Sequence, residues 1–394
     1  MKKIAVMMYR MGCGGVERAL IELLKRIDPS EYVVDLFLLE QEGEFLELVP
    51  EYVNQILLDI PDLNREFVRT MEIRPTVKSG IAFGQFLQTL DLLLRYTKHK
   101  LGKTPAPAYV TAFEKMEMVE YDIALDFHGY ASATTYVLAE KVNAKKKYTW
   151  IHGESCLRDL PVFWTYLQKF DKIFCVSGDL AESVNAILPQ CSGERIEVFH
   201  NFVDCQKILE RAADGPKLPG TGGASVNLLT VGRMAWEKGY DMAIEAAAIL
   251  KSRGIDFHWF FGGDGPLRSQ LEQQIAQRGL EEQISLLGYC ENPYSLMRDC
   301  DIYVQPSRSE GYGITIVEAL VLGCNVISTR VAGAKEEITD GVNGIVVDID
   351  AGSIADGVTD LLSQSQLLNE MKRKNTDFAR YNAESMKMLW EILQ

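Results

Sequence analysis

With 394 residues and 47% hydrophobic composition, the chain has apolar side chains enough for two cores of ordinary size, which excludes a disordered or fibrous protein. A formal net charge of -14 argues against a general polyanion binder, because nucleic-acid affinity rests largely on Lys and Arg neutralising phosphates. The eight cysteines are scattered, with no C-x-x-C pair and no matched histidine spacing, so neither a disulfide framework nor a zinc site is expected.

The opening stretch MKKIAVMMYRMGC imitates a secretory leader, but its apolar run is short and Arg10 interrupts it, so it reads as a first core strand. No run approaches the roughly 18 to 20 apolar residues that a membrane-spanning helix needs. A cytoplasmic protein is expected, peripheral at the inner face of the plasma membrane if it works on lipid.

Short β-rich runs then alternate with amphipathic helical segments, the pattern of an α/β protein with parallel sheets. In the first half strands are predicted at Lys3 to Tyr9, Val33 to Leu39, Gln55 to Ile60, Tyr121 to Phe127, Lys147 to Ile151 and Lys172 to Val176. In the second they fall at Asn227 to Val231, Phe257 to Phe261, Ile284 to Gly288, Asp301 to Gln305, Asn325 to Thr329 and Gly344 to Val347. Between the halves lies DGPKLPGTGGASV, Asp214 to Val226, which cannot continue a helix or a central strand. The crossover is placed earlier, near HNFVD, His200 to Asp204. Residues 1–202 and 203–375 are the expected domains, with a helix over 376–394 packing back toward the first.

Pro61 to Met118 departs from the alternation and reads as a helical insertion. Within it, Ile81 to Lys103 carries apolar residues at helical spacing, and Arg95, Lys98, Lys100 and Lys103 collect at its end. A core-packed helix with a solvated basic end is the plain reading; a basic amphipathic helix on an anionic membrane is the other.

After the first strand comes YRMGCGGVERAL. A dinucleotide fingerprint needs G-x-G-x-x-G. Gly12 and Gly14 fit, but Glu17 stands in the third slot, where its charge repels a pyrophosphate at the helix start.

The chemistry concentrates in SRSEGYGITIVEAL, Ser307 to Leu320. Gly311 and Gly313 permit close backbone approach, and the helix starting near Gly313 offers free amides and the positive end of its dipole. Glu318 lies roughly 7 to 8 Å along that helix, about one sugar ring from the anion site. A diphosphate flanked by polyols, as in a nucleotide sugar, fits amides between two carboxylates, Glu310 and Glu318. On spacing alone a structural pair, with Glu318 capping a loop and Glu310 exposed, is equally open. TVGRMAWEKGYDMAIEA tips the balance by placing Arg233 and Lys238 after a parallel strand, where open α/β sheets bind ligands. Both can neutralise a diphosphate, although Glu237 is a ready surface partner for either.

V-G-R-x-x-x-x-K-G, the loop Gly262 to Pro266 and E-x7-E from Glu310 to Glu318 occur together and in order. The combination resembles the large family 4 of retaining glycosyltransferases with the GT-B fold: two Rossmann-like parallel-sheet domains facing across a cleft. The resemblance covers nearly the whole chain, strongest over Val198 to Asp348 and weakest over Pro61 to Met118. It implies a nucleotide-sugar donor, UDP favoured, held mainly by the second domain, with no cofactor and no metal required. The acceptor is implied mainly in the first domain, as a glycan or a lipid-linked saccharide of bacterial surface polysaccharide, capsule or lipopolysaccharide assembly.

Residue by residue, the resemblance gives Arg233 and Lys238 to the donor diphosphate, Glu310 to donor sugar hydroxyls and Glu318 to the ribose. Gly263 and the backbone of Gly311, Tyr312, Gly313, Ile314 and Thr315 complete the donor site. His152, in YTWIHGE, matches the family histidine beside the transferred sugar, and His128, in LDFHG, matches more loosely on the acceptor side. Gly14 and Gly15 resemble the family's first glycine loop, facing donor phosphate and acceptor.

Two departures stand out. VAGAKEEI, Val331 to Ile338, replaces the common G-G-x-P-E, and Phe202 stands where a glycine is common. DID, Asp348 to Asp350, spells a metal-binding D-x-D but follows a late strand and reads as a turn. The expected activity is retaining, metal-independent hexosyl transfer by front-face attack. A glycoside hydrolase or phosphorylase is disfavoured by the cations beside the acids. A nucleotide-sugar epimerase and a non-catalytic nucleotide-sugar binder on the same fold are the remaining alternatives.

Overall fold

The structure, a computed structural model, describes residues 1–59, 73–82, 84, 86–101, 113, 119–191, 195–219, 225–364 and 380–394. Its chain divides into two units, Met1–Phe199 with Lys387–Gln394, and His200–Met386.

Among the described residues of the first unit, seven strands form one parallel sheet: β1 (Lys2–Met8), β2 (Tyr32–Leu38), β3 (Val53–Leu57), β4 (Val119–Asp126), β5 (Val142–Ile151), β6 (Lys172–Cys175) and β7 (Ile196–Val198). Their order is β3-β2-β1-β4-β5-β6-β7. Ile4 to Met8 are buried on both faces, the sign of a central parallel strand covered by helices on either side. Trp150 anchors the core, with Phe174 at 4.8 Å, Phe127 at 5.2 Å and Phe199 at 5.4 Å between ring centroids.

The sheet holds one strand that sequence reading lacked: β7, three residues long, too short to show a period. β5 begins at Val142 rather than Lys147, which puts the run Lys145 to Lys147 on a strand. Lys147 donates to the carbonyls of Leu138 and Ala139, at 3.1 Å each, closing the last turn of the helix Ala133–Lys141. Lys145 pairs with Asp122 at 2.7 Å. Two lysines of this run thus serve the fold.

Among the described residues of the second unit six parallel strands, β8 (Val226–Val231), β9 (Phe257–Gly262), β10 (Ile284–Gly288), β11 (Ile302–Gln305), β12 (Asn325–Thr329) and β13 (Ile345–Val347), run in the order β10-β9-β8-β11-β12-β13. Trp259 and Phe261 of β9 pack in the core with Tyr240, the first residue of the helix Tyr240–Ser252, and with the helix Ala351–Ser363. Such rings each remove roughly 150–250 Å² from water and dominate core energetics.

Both sheets reverse strand order once, between β1 and β4 and between β8 and β11. Open α/β sheets bind ligands outside the carboxyl ends of strands at such a switch point.

Of the predicted insertion, helices Ile73–Ala82 and Phe86–Lys100 are described, while Lys103 lies outside the described residues. Ile60, part of the linker and residues 376–379 of the predicted last helix also lie outside them. The last helix, Arg380–Leu393, belongs to the second unit up to Met386 and to the first from Lys387. Its end is tied to the first unit by Lys2, which donates to the Leu393 carbonyl at 2.9 Å, and by Tyr32, which donates to the same carbonyl at 3.0 Å.

Candidate functional site

The switch point of the second unit is built from two loops. β8 leads through Gly232 and Arg233 into a 3-10 turn, Trp236–Lys238, and then the helix Tyr240–Ser252. β11 leads through Pro306 to Gly313 into the helix Ile314–Val321. Gly239 is where they meet: its φ is 66°, and a Cβ there would overlap the Pro306 carbonyl oxygen. The glycine that closes V-G-R-x-x-x-x-K-G is thus required by backbone contact and by the left-handed conformation.

That contact brings Lys238 to Glu310. The lysine Nζ donates to both carboxylate oxygens, at 2.7 and 2.8 Å. Gln305 Nε2 at 2.9 Å and Ser307 Oγ at 2.6 Å donate to Oε1 as well. Only 8% of the Glu310 side chain is exposed, and this cation and these donors are the partners that a buried carboxylate needs. Gln305 Oε1 in turn accepts from Tyr303 at 2.7 Å and from Thr315 at 3.1 Å, which links the acid to the first turn of the helix Ile314–Val321. Gln305 and Ser307 were missed in the sequence; a lone glutamine ending the apolar run IYVQ was the available signal.

Arg233 is different in kind. Its side chain is 69% exposed and pairs at 2.9 Å with Glu237, one helical turn on. Burial raises the Glu237 carboxyl, yet the Arg233 hydrogen bond and charge, with Lys238 adding to them, hold it below the usual range. An exposed pair of this sort is easily exchanged for another anion. Arg308 braces the turn, donating to both Asp241 oxygens at 2.7 and 2.6 Å with its guanidinium 5.0 Å from the Trp236 ring centre. Gly263 lies in the loop after β9, beside the Arg233 turn: Gly232 donates to Gly262 at 2.9 Å and Met234 to Asp264 at 2.8 Å.

The helix Ile314–Val321 starts at Gly313, φ 76°, without a side-chain cap. Its first amides and dipole therefore remain an anion-binding end beside Gly311 and Tyr312. Tyr312 is buried, donates to Glu337 at 3.0 Å and stacks on His200 at 5.1 Å. Gly333, in the segment that departs from the family pattern, packs on this turn so closely that a Cβ would overlap the Tyr312 carbonyl oxygen. Glu318, also buried, accepts from Tyr294 at 2.8 Å, and the Arg211 guanidinium lies 5.4 Å from the Tyr294 ring centre. No sequence signal marked Tyr294.

At the switch point of the first unit, Gly14 is the N-cap of the helix Gly15–Leu24, and the Glu17 carboxylate folds over it. That negative charge already serves the helix dipole. His152, at the end of β5, is buried with Nε2 at 2.6 Å from the Phe127 carbonyl and its ring 4.9 Å from that of Phe127. His128 lies between Tyr9 at 5.7 Å and Tyr130 at 5.5 Å. Burial pulls His152 down to about 4 and His128, with His152 adding to it, down to about 3. Both rings are therefore neutral at pH 7, and Nδ1 of each is buried without a partner among the described residues.

Asp350 caps the helix Ala351–Ser363, accepting from the Ser353 amide at 2.8 Å, and Asp348 lies 3.5 Å from Arg330. The D-x-D is occupied as a turn and helix cap.

Two parallel-sheet Rossmann-like units, the second with its polar groups gathered at the switch point, define the GT-B class of fold. Residues 223–378 match the family described as Glycosyl transferases group 1. The chain is 27% identical over 379 residues, 95% of its length and 94% of the relative's, to the Campylobacter jejuni N-acetylgalactosamine-N,N'-diacetylbacillosaminyl-diphospho-undecaprenol 4-alpha-N-acetylgalactosaminyltransferase. Among solved structures, Anabaena Alr3699/HepE in complex with UDP-glucose is similar with a TM-score of 0.69 at 17% identity, over 100% of this chain and 99% of that one. S. aureus TarM is similar with a TM-score of 0.69 at 15% identity, over 100% and 98%.

Proposed function

We propose that the protein is a retaining, metal-independent glycosyltransferase that moves a hexose or N-acetylhexosamine from a nucleoside-diphosphate sugar, UDP favoured, to a hydroxyl of a glycan or lipid-linked acceptor. The observation that carries this reading is the meeting of Arg233, the buried Lys238–Glu310 pair and the uncapped helix start at Gly313 on one switch point. The UDP-glucose complex of the Anabaena protein and the undecaprenol-linked chemistry named for the Campylobacter relative support donor and acceptor class. An epimerase or a non-catalytic binder is not favoured, because the named relatives are transferases of glycan assembly.

In this reading the diphosphate lies over the amides of Gly311 to Thr315. Arg233 exchanges Glu237 for phosphate, while Lys238 stays anchored to Glu310 and shares its charge with the leaving group. Glu310 Oε2, which accepts fewer hydrogen bonds than Oε1, takes donor sugar hydroxyls, and Glu318 takes the ribose. The acceptor hydroxyl attacks from the face the diphosphate leaves, and a phosphate oxygen receives its proton. Stabilising that departing charge is the largest catalytic term. Gly14, Gly15, His128 and His152 of the first unit serve the acceptor and the transferred sugar. Transfer from UDP-N-acetylhexosamine to a polyprenyl-diphosphate saccharide in excess chelator, with the product's anomeric configuration read by NMR, tests the reading. An α-donor is expected to give an α-linked product; a β-product, or loss of activity with chelator, overturns retention or metal independence respectively.

If Glu318 holds the ribose, Tyr294 orients it. Tyr294→Phe is expected to raise the donor KM roughly tenfold with kcat little changed, since one hydrogen bond to a charged group is lost. Initial-rate kinetics over a donor range checks this.

Among the described residues no helix is long and apolar enough to cross a membrane. The helix Phe86–Lys100 nonetheless exposes Leu87, Leu90 and Leu94, 83%, 55% and 54% accessible, while Thr89 and Leu92 face inward. With exposed Lys98 nearby, this face suits peripheral contact with anionic lipid. Wild-type protein is expected to sediment with phosphatidylglycerol vesicles and the variant with Glu at all three leucines to remain in solution.

A further inference from the structure

Three successive residues after His128 occupy the left-handed region: Gly129 at φ 61°, Tyr130 at φ 59° and Ala131 at φ 46°. Two neighbouring non-glycine residues in that region persist only where the surroundings over-determine them. Asp126, the last residue of β4 and fully buried, is the centre of those surroundings. Its Oδ2 accepts from Thr135 at 2.6 Å and Thr149 at 2.8 Å, and its Oδ1 from the Gly129 amide at 3.1 Å. Ser132 donates to the Gly129 carbonyl at 2.8 Å, and a Cβ on Gly129 would overlap the Trp150 carbonyl oxygen. One carboxylate thus ties the turn to the helix Ala133–Lys141 and to β5.

Phe127 stands between Asp126 and Gly129, so its carbonyl direction is set by the same turn. That carbonyl accepts from His152 Nε2 at 2.6 Å, which places the ring proton on Nε2 and leaves Nδ1 a bare lone pair. We propose that Asp126 is a positioning residue: through the left-handed turn it fixes the Phe127 carbonyl, and with it the tautomer and orientation in which His152 offers Nδ1 to a sugar hydroxyl. The hydroxyl part rests on the function proposed above; the positioning part does not. The low proton affinity of His152 agrees, because a protonated Nδ1 has no lone pair to offer.

The test is ¹⁵N NMR of the full-length protein labelled at histidine, with His152→Gln for assignment, beside transfer kinetics. Wild type is expected to show His152 as the Nε2–H tautomer, unprotonated down to about pH 5. Asp126→Asn, which keeps the volume and the acceptor for Gly129, is expected to preserve both that signature and most of kcat. Asp126→Ala is expected to give mixed tautomers and a kcat lower by roughly tenfold or more. Thr149→Val, which removes one donor at constant shape, is expected to move the same signals in the same direction and serves if the alanine variant does not fold. A folded Asp126→Ala or Thr149→Val protein with the wild-type imidazole signature overturns the proposal. A His152→Gln protein that transfers at the wild-type rate overturns its hydroxyl part and the underlying site reading, while the tautomer measurement still decides the role of Asp126.

Discussion

Arg233→Ala and Lys238→Ala are each expected to lower kcat by roughly 10²-fold or more, because in the proposed reaction each removes a cation from charge that grows as the diphosphate departs. Their stabilities should differ sharply. Arg233 is 69% exposed and its partner is a surface acid, so its loss should leave the melting temperature nearly unchanged. Lys238 holds a carboxylate that is only 8% exposed, and removing it leaves that charge with two neutral donors, Gln305 and Ser307. A cost of about 3 kcal/mol is expected, as for a buried ion pair broken on one side. The double variant Lys238→Met with Glu310→Gln removes both charges and should recover most of the stability and none of the activity. Denaturant titration beside initial-rate kinetics separates the two effects. A Lys238→Ala protein as stable as wild type would show that Glu310 does not depend on its cation.

Gly239→Ala is expected to destabilise the second unit by roughly 3 kcal/mol and to abolish transfer. The new Cβ meets the Pro306 carbonyl, so the loop holding Lys238 must part from the loop holding Glu310. Gly254 is the control: it has a similar φ of 74°, and a Cβ there meets nothing within 4 Å. Gly254→Ala should cost only the left-handed backbone preference, about 1 kcal/mol, with activity intact. Equal losses in the two variants would mean that the contact with Pro306 has no energetic weight.

The features legible in the sequence were those with a local signature. Buried parallel strands such as Ile302–Gln305 announce themselves as short apolar runs, and the order of strands and helices then leaves few topologies. The cations and acids of the second unit were legible because loops after strands carry chemistry and the spacing of Lys238, Glu310 and Glu318 is distinctive. What was not legible depends on partners distant in sequence. Tyr294 reaches Glu318 across 24 residues, and Asp126 reaches Thr149 across 23; each looked like an ordinary residue of its own segment. Gly333 was read only as a departure from a family pattern, because the Tyr312 carbonyl it must clear lies in another loop. Three residues of β7 carry no period, and the lysines ahead of Tyr148 masked the early start of β5. Pairing states were hidden too: composition shows cations and acids, but not that Lys238 and Glu310 bury each other while Arg233 stays at the surface.

The proposed placement of the donor in the second unit is most directly tested by calorimetric titration of UDP into the full-length wild type, Arg233→Ala and Glu318→Gln, the first variant aimed at the proposed diphosphate contact and the second at the proposed ribose contact. The expected result is binding by the wild type in the presence of chelator, weakened roughly tenfold or more in each variant, since each loses a hydrogen bond to a charged group. Equal affinity in all three proteins would contradict a donor held by Arg233 and Glu318.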